Sequence, residues 1–295
     1  RRSGCEVMGR GLWERWDEVV TGAVFDTFET VFNEGKDIRG QPSALQGLPC
    51  VRSPAILVTW ALVYLLVVGL GLLTITPADK GRRRAEPRYL KKLVKFHNVF
   101  LILLSSYMFV HTCYQAYINK YRFWGQAYDA REVGMARIIY IFYMSKLYEY
   151  FDTYIMLLKG NLKQVSFLHV YHHVTISFIW FFIAFAAPGG DAWYSAALNS
   201  LVHVAMYTYY YLASISSDNP GFRKRYLWWG RYLTSFQICQ FVTMLAQGVY
   251  TWLYSDYPKW VSKFLVWYMV SLLALFGKFF AQKYLGQAQQ HRRSK

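Results

Sequence analysis

The sequence predicts an all-α membrane protein with seven transmembrane helices. Three observations point there. Of 295 residues, 55% are apolar and 19% aromatic, while only 17% are charged, against about 25% in a typical soluble chain. The net charge is nevertheless +16, from 33 Lys and Arg against 17 Asp and Glu. The basic residues crowd into short polar segments between apolar runs of spanning length, as in polytopic membrane proteins. The apolar content excludes a disordered chain. Basic residues set beside apolar runs, and not on one soluble face, argue against a nucleic-acid binder.

In chain order, residues 1–50 are polar and mixed, with Pro42, Pro49 and several glycines. They read as a poorly ordered or interfacial arm without a signal-peptide pattern. A bilayer-spanning helix needs roughly 20 mostly apolar residues. The segments that qualify are 54–75, 94–117, 134–158, 165–187, 193–215, 229–254 and 260–284. The first is apolar almost throughout (ILVTWALVYLLVVGLGLLTI). The third and fifth carry polar residues and score weakly, so six spans plus one interfacial helix is the alternative. Residues 286–295 (GQAQQHRRSK) read as a solvated tail.

The loops set the orientation. Segment 76–92 holds Lys80, Arg82, Arg83, Arg84, Arg88, Lys91 and Lys92; 159–164 holds Lys159 and Lys163. Segment 216–228 holds Arg223, Lys224 and Arg225, and the tail holds Lys283, Arg292, Arg293 and Lys295. These are alternate loops, and the opposite ones are poorer in cations except 118–133, with Lys120, Arg122 and Arg131. The positive-inside rule then places the C-terminus in the cytosol and the N-terminus outside or in a lumen. The expected organisation is a luminal arm (1–50), a membrane domain (51–285) and a cytosolic tail (286–295). Cys5, Cys50, Cys113 and Cys239 are too widely spaced for a metal or disulfide framework. Only Cys5 and Cys50 would have the chance to pair in an oxidising lumen.

Ionisable groups inside spanning helices are costly and are functional candidates by default. His169, His172 and His173 lie at i, i+3 and i+4 and share one helix face. Asn199, His203, Met206 and Tyr207 form a second stripe, with Tyr210 beyond it. Lys146, Glu149 and Asp152 follow at steps of three, as do Thr234, Gln237 and Gln240. At about 1.5 Å rise per residue, these groups fall roughly 8 to 18 Å inside the cytosolic edge. Four helices thus bring their polar stripes to one layer. Each set also has a structural reading. The carboxylates and Lys146 would make an ion-pair staple, and the glutamines would be interhelical glue. His97 and His111, being isolated, read as structural or interfacial.

Two chemistries compete for this constellation. The single HxxHH box and seven histidines in all fall short of the roughly eight that a membrane di-iron site would resemble. A zinc site could be drawn from His169, His173 and His203. The alternative is acyl chemistry, because neutral imidazole serves as nucleophile and base near neutral pH. No cysteine stands beside the box and no serine sits in a GxSxG setting. A seven-span receptor or transporter would match the span count but leaves the histidine cluster without a role.

Four ordered motifs resemble the ELO family of membrane fatty acid elongases over about residues 55–285. They are Lys146-x-x-Glu149-x-x-Asp152-Thr153, His169-Val170-Tyr171-His172-His173, Asn199-Ser200-Leu201-Val202-His203-Val204-Ala205-Met206-Tyr207-Thr208-Tyr209-Tyr210, and Thr234-x-x-Gln237-x-x-Gln240. The resemblance implies a seven-helix endoplasmic reticulum protein, with six helices forming a barrel of two inverted three-helix units around an acyl tunnel. It implies condensation of acyl-CoA with malonyl-CoA to 3-ketoacyl-CoA, CO2 and CoA, with no tightly bound cofactor and no metal. On that reading His172 takes the acyl group, while His203, His169 and His173 orient groups or donate to oxygens. Lys146, Glu149 and Asp152 set tautomers and protons. Asn199, Met206, Tyr207, Tyr210, Gln237 and Gln240 contact substrate, and Arg223, Lys224, Arg225, Lys159 or Lys163 meet the anionic CoA. The choice of His172 rests on the resemblance and not on spacing. Expected partners are the bilayer and the ketoreductase, dehydratase and enoyl reductase of the elongation cycle, with a homo-oligomer left open. Gln164 ahead of HVYHH resembles the polyunsaturated-acyl branch, with saturated or monounsaturated substrates as the alternative. The tail HRRSK departs from the usual Lys-rich retrieval signal of the family.

Overall fold

The structure is a computed structural model and describes residues 11–39, 43–45, 47–75, 87–216 and 219–281. Among the described residues it is all helical. The helices are α1 (Leu12–Phe32), α2 (Pro54–Thr74), α3 (Arg88–Ile118), α4 (Val133–Tyr148), α5 (Tyr150–Leu158), α6 (Phe167–Ala186), α7 (Ala192–Ile215), α8 (Pro220–Tyr226), α9 (Leu233–Tyr254) and α10 (Lys259–Phe280). Short 3-10 turns precede α6 and α9. All the segments of spanning length fall on helices, the third on α4 and α5 together. Four helices (α2, α3, α6 and α10) are long and apolar enough to cross a membrane. Helices α4, α5, α7 and α9 miss that measure, and each of the four carries polar residues expected at the site. The tail, Cys5 and the 80–84 basic cluster lie outside the described residues.

Local chemistry explains where the site-bearing helices begin. Ser53 caps α2, accepting from the Ala55 N–H, with Pro54 in the first turn. Ser166 caps α6 by accepting from the His169 N–H at 3.2 Å, so the helix that carries the histidine box starts immediately before it. The turn into α6 uses Gly160 at φ +67, a region glycine enters without strain. Between α4 and α5, the Asp152 N–H bonds the Glu149 carbonyl in an i, i+3 pattern. The helix therefore tightens at Glu149 without a proline.

The helices pack in pairs that close on themselves. α3 lies along α7, α7 against α9, α9 against α10, α10 against α6, α6 against α4, and α4 against α3. α2 packs outside this circuit on α5, α6 and α1. The core of the ring is aromatic and branched, including Phe142, Trp180 and Phe181, with Phe142 and Trp180 ring centroids 4.3 Å apart. Hydrogen bonds tie the turns at one end. Asp191 accepts from the Gly125 N–H at 2.9 Å and from the Ser255 hydroxyl at 2.7 Å, joining the α3–α4, α6–α7 and α9–α10 connections. Gly190 has φ +50, and a Cβ there would come 2.8 Å from the Gln126 carbonyl oxygen. Only glycine allows the 121–132 segment to lie so close to that turn.

The described residues of the arm correct one of its two readings, that of a poorly ordered segment. α1 is an ordered helix packed on α2 and α10. Phe28 stacks on Phe182 with centroids 3.6 Å apart and meets Phe264 edge-on at 4.5 Å. Phe25, Ile38 and Leu45 are fully buried. Tyr140 and Tyr143 donate their hydroxyls to the Pro49 and Cys50 carbonyls. The arm thus seals the aromatic end of α6 and α10.

Candidate active site

A cavity of about 560 Å³ opens at one end of the helix ring. It is built where α3, α6 and α9 begin and where α5, α7 and α10 end. His169, His172, His173 and His203 line it, as do Glu149, Asp152, Asn199, Met206, Tyr207, Tyr210, Gln237 and Gln240. The residues picked out on four separate helices therefore converge on one chamber. Lys146 does not reach the lining, and Arg223, Lys224 and Arg225 lie exposed on α8 away from it. Lys159 and Lys163 supply cations to the wall.

The ion pair beneath the chamber is fully enclosed. Lys146 and Glu149 are each 1% exposed. Lys146 Nζ donates to Glu149 Oε1 at 2.8 Å and to Asn199 Oδ1 at 3.0 Å, and it stands 4.2 Å above the Phe142 ring. His203 Nδ1 lies 3.4 Å from Glu149 Oε1, a close approach without hydrogen-bond geometry. Burying two charges is costly, and their attraction offsets that only when the geometry and the remaining hydrogen bonds are good. Asn199 completes the shell here, so the staple and the chamber share residues.

The histidines have distinct settings. His169 Nε2 pairs with the Thr153 hydroxyl at 2.8 Å, and Thr153 pairs with Tyr64 of α2 at 2.9 Å. His172 Nδ1 meets the Tyr268 hydroxyl of α10 at 3.2 Å. His173 Nδ1 is buried without a hydrogen-bond partner. The His169 and His173 rings are 4.4 Å apart, and those of His172 and His173 are 5.7 Å apart. On α9, Gln237 Nε2 faces Met206 Sδ at 3.6 Å and Gln240 Nε2 faces Met244 Sδ at 3.3 Å. Sulfur is a weak acceptor, so both amides keep donor capacity for a ligand in the chamber. Among the described residues, no three His, Cys, Asp or Glu side chains are grouped so as to hold a metal ion.

His97 is a correction to the sequence reading. It lines the cavity, and its Nε2 lies 2.7 Å from Asp152 Oδ1. Tyr207 donates its hydroxyl to Asp152 Oδ2 at 2.7 Å. Asp152 is thus bracketed by α3 and α7 and joins the two sides of the chamber. The partners are 55 residues apart in sequence, so no local spacing announces them. Tyr268 and Asn98 were also missed, the second lining the wall one residue beyond His97.

The chain is similar in sequence to known proteins. The family described as ELO: GNS1/SUR4 matches residues 49–292. The chain is 37% identical over 230 residues to very long chain fatty acid elongase 5 of Mus musculus, covering 76% of this chain and 72% of that protein. It is 36% identical over 230 residues to the Homo sapiens protein of the same name, with the same coverage. With the Bos taurus protein it shares 35% over 239 residues, 79% of this chain and 75% of that one.

Proposed function

We propose, given that the chain belongs to the ELO family, that it is the condensing acyltransferase of fatty acid elongation, joining acyl-CoA and malonyl-CoA. The observation that carries this reading is the convergence of five imidazoles, three glutamine amides and two lysines on one chamber at the end of an apolar ring. An acyl chain needs an apolar slot, a thioester needs donors for its oxygen, and a CoA phosphate needs cations at the mouth. Lys159 and Lys163, in the wall, would take that last task, while Arg223, Lys224 and Arg225 on α8 lie outside the lining.

The reaction proceeds in two stages on this reading. Neutral His172 attacks the acyl-CoA carbonyl through Nε2, the C–S bond breaks, and CoA thiolate leaves and takes a proton from solvent. Malonyl-CoA then loses CO2, and the electron pair of the broken C–C bond forms an enolate. The enolate attacks the acyl carbon, and the C–N bond to His172 breaks to give 3-ketoacyl-CoA. His169, His173 and His203 orient the groups or donate to the developing oxyanions. Asp152, Glu149 and Lys146 hold the proton inventory, and no tightly bound cofactor is needed.

The same reading takes α2, α3, α4 with α5, α6, α7, α9 and α10 as seven spans. The closed circuit of helix pairs supports a six-helix barrel of two inverted three-helix units, with α2 outside. The chamber end faces the cytosol by its cations, which puts the C-terminus there and the arm in the lumen of the endoplasmic reticulum. The ketoreductase, dehydratase and enoyl reductase of the cycle would receive the product. The resemblance of Gln164 and the HVYHH box to the polyunsaturated-acyl branch supports polyunsaturated acyl substrates, and Gln164 lines the wall. Membranes carrying the chain, given radiolabelled malonyl-CoA and a panel of C16, C18 and C20 acyl-CoAs, are expected to extend the C18 and C20 polyunsaturated chains by two carbons. Extension of palmitoyl-CoA alone would reverse the substrate choice, and no incorporation with any acyl-CoA would overturn the enzyme.

A further inference from the structure

A second, much smaller cavity lies at the end of the ring away from the chamber. It holds about 20 Å³ and is walled by Ile183 near the end of α6, Ser195 in the first turn of α7, Gln247 on α9 and Ser262 in the first turn of α10, with Asp191 and Thr251 beside them. Ser195 and Gln247 are 1% exposed and Ser262 2%. Ser195 Oγ, Ser262 Oγ and Gln247 Oε1 have no hydrogen-bond partner among the described residues. The glutamine's orientation is set by its other end. Its Nε2 donates to the Asp191 carbonyl at 3.0 Å and to Thr251 Oγ1 at 3.3 Å, and a carbonyl can only accept. Oε1 is therefore left as an acceptor without a donor. The serines are equally unpaired. A helical hydroxyl can return to the carbonyl four residues back, as Ser200 does to Ala196 at 2.8 Å, whereas Ser195 and Ser262 make no such bond.

We propose that this cavity binds one ordered water, held by Ser195, Gln247 and Ser262. Three orphaned groups on three helices share one small space, and a buried water typically makes about three hydrogen bonds. The volume fits a single water, which needs at least about 10–15 Å³. The water donates to Gln247 Oε1 and meets the two serine hydroxyls, which can give or accept. Asp191 lines the same space, but both its carboxylate oxygens already accept, from the Gly125 N–H and the Ser255 hydroxyl. The three atoms left over are all neutral, which selects water over a cation. The bound molecule ties α7, α9 and α10 together at the closed end of the ring. Ser195, Asn199 and His203 follow at i, i+4 and i+8 on one face of α7. The tie therefore sets the rotation of the helix that presents His203 to the chamber, whatever reaction the chamber performs.

The test joins a density map of the full wild-type chain, at a resolution that shows waters, to the thermal unfolding midpoints of Ser195→Ala and Ser262→Ala in detergent. The map is expected to show one peak at hydrogen-bond distance, about 2.5–3.0 Å, from Ser195 Oγ, Ser262 Oγ and Gln247 Oε1. The variants supply a sign. Removing a buried hydroxyl that has no partner relieves its desolvation cost and raises the midpoint. Removing one that holds a water leaves that water short of a partner and lowers the midpoint. Each variant is expected to unfold about 2–4 °C below wild type. Wild-type midpoints in sodium chloride and choline chloride at equal ionic strength are expected to agree. A midpoint unchanged or raised in either variant, a map without the peak, or a midpoint that falls when sodium is withdrawn would overturn the inference, the last in favour of a bound cation.

Discussion

His172→Ala is expected to lower malonyl-CoA incorporation by at least about 10³-fold, the scale on which removal of a covalent nucleophile acts. Its protein should accumulate to normal levels, because the His172 side chain faces the cavity and makes one hydrogen bond, to Tyr268. Without the imidazole, the acyl group has no acceptor and the first C–S bond is not broken. His111→Ala is the matched control. That ring packs against Tyr107 and Tyr114 on its own helix and does not line the chamber, so turnover should be retained. The comparison reads initial rates in membranes at matched protein levels. Near-normal turnover in His172→Ala would place the chemistry elsewhere in the cavity.

The second large effect is on stability. Lys146→Met leaves Glu149 buried with its main countercharge removed, which costs about 3–5 kcal/mol. Asn199 also loses its partner, since Lys146 Nζ is its donor. The expected result is a clear fall in the unfolding midpoint of the detergent-solubilised protein, with reduced yield from membranes. Lys146→Met combined with Glu149→Met should recover much of that loss, because neither charge then remains unpaired. It should not recover activity, because Glu149 lines the chamber beside His203. A single variant as stable as wild type would mean that the charges are solvated or that Glu149 is protonated.

The parts of the site that were legible in the sequence are those whose geometry is local. The α6 histidines and the Asn199, His203, Met206, Tyr207 stripe sit at helical spacing, so their shared faces follow from 3.6 residues per turn. What the sequence hid was contact between helices. His97 joins Asp152 from α3 and Tyr268 joins His172 from α10; His97 has no polar companion at i+3 or i+4, and Tyr268 has only Ser271. Lys146 pairs with Glu149 as its spacing suggested, yet it sits behind the lining and meets the chamber only through Glu149 and Asn199. Among the spans, α7 was readable as a helix because its polar groups keep one stripe. The arm was misread because acidic residues dilute its composition, although Val20, Val24, Phe28 and Phe32 recur every four residues. That period is the signal that would have shown α1, and it is the face that carries Phe28 onto Phe182.

The chemistry at His172 can be isolated by giving the purified protein acyl-CoA without malonyl-CoA, quenching it, and mapping adducts by peptide mass spectrometry. The expected result is an acyl group on His172, with CoA released in equal amount and the adduct discharged when malonyl-CoA is added. An acyl group fixed to another residue, or CoA released only when malonyl-CoA is present, would contradict the two-stage route through this imidazole.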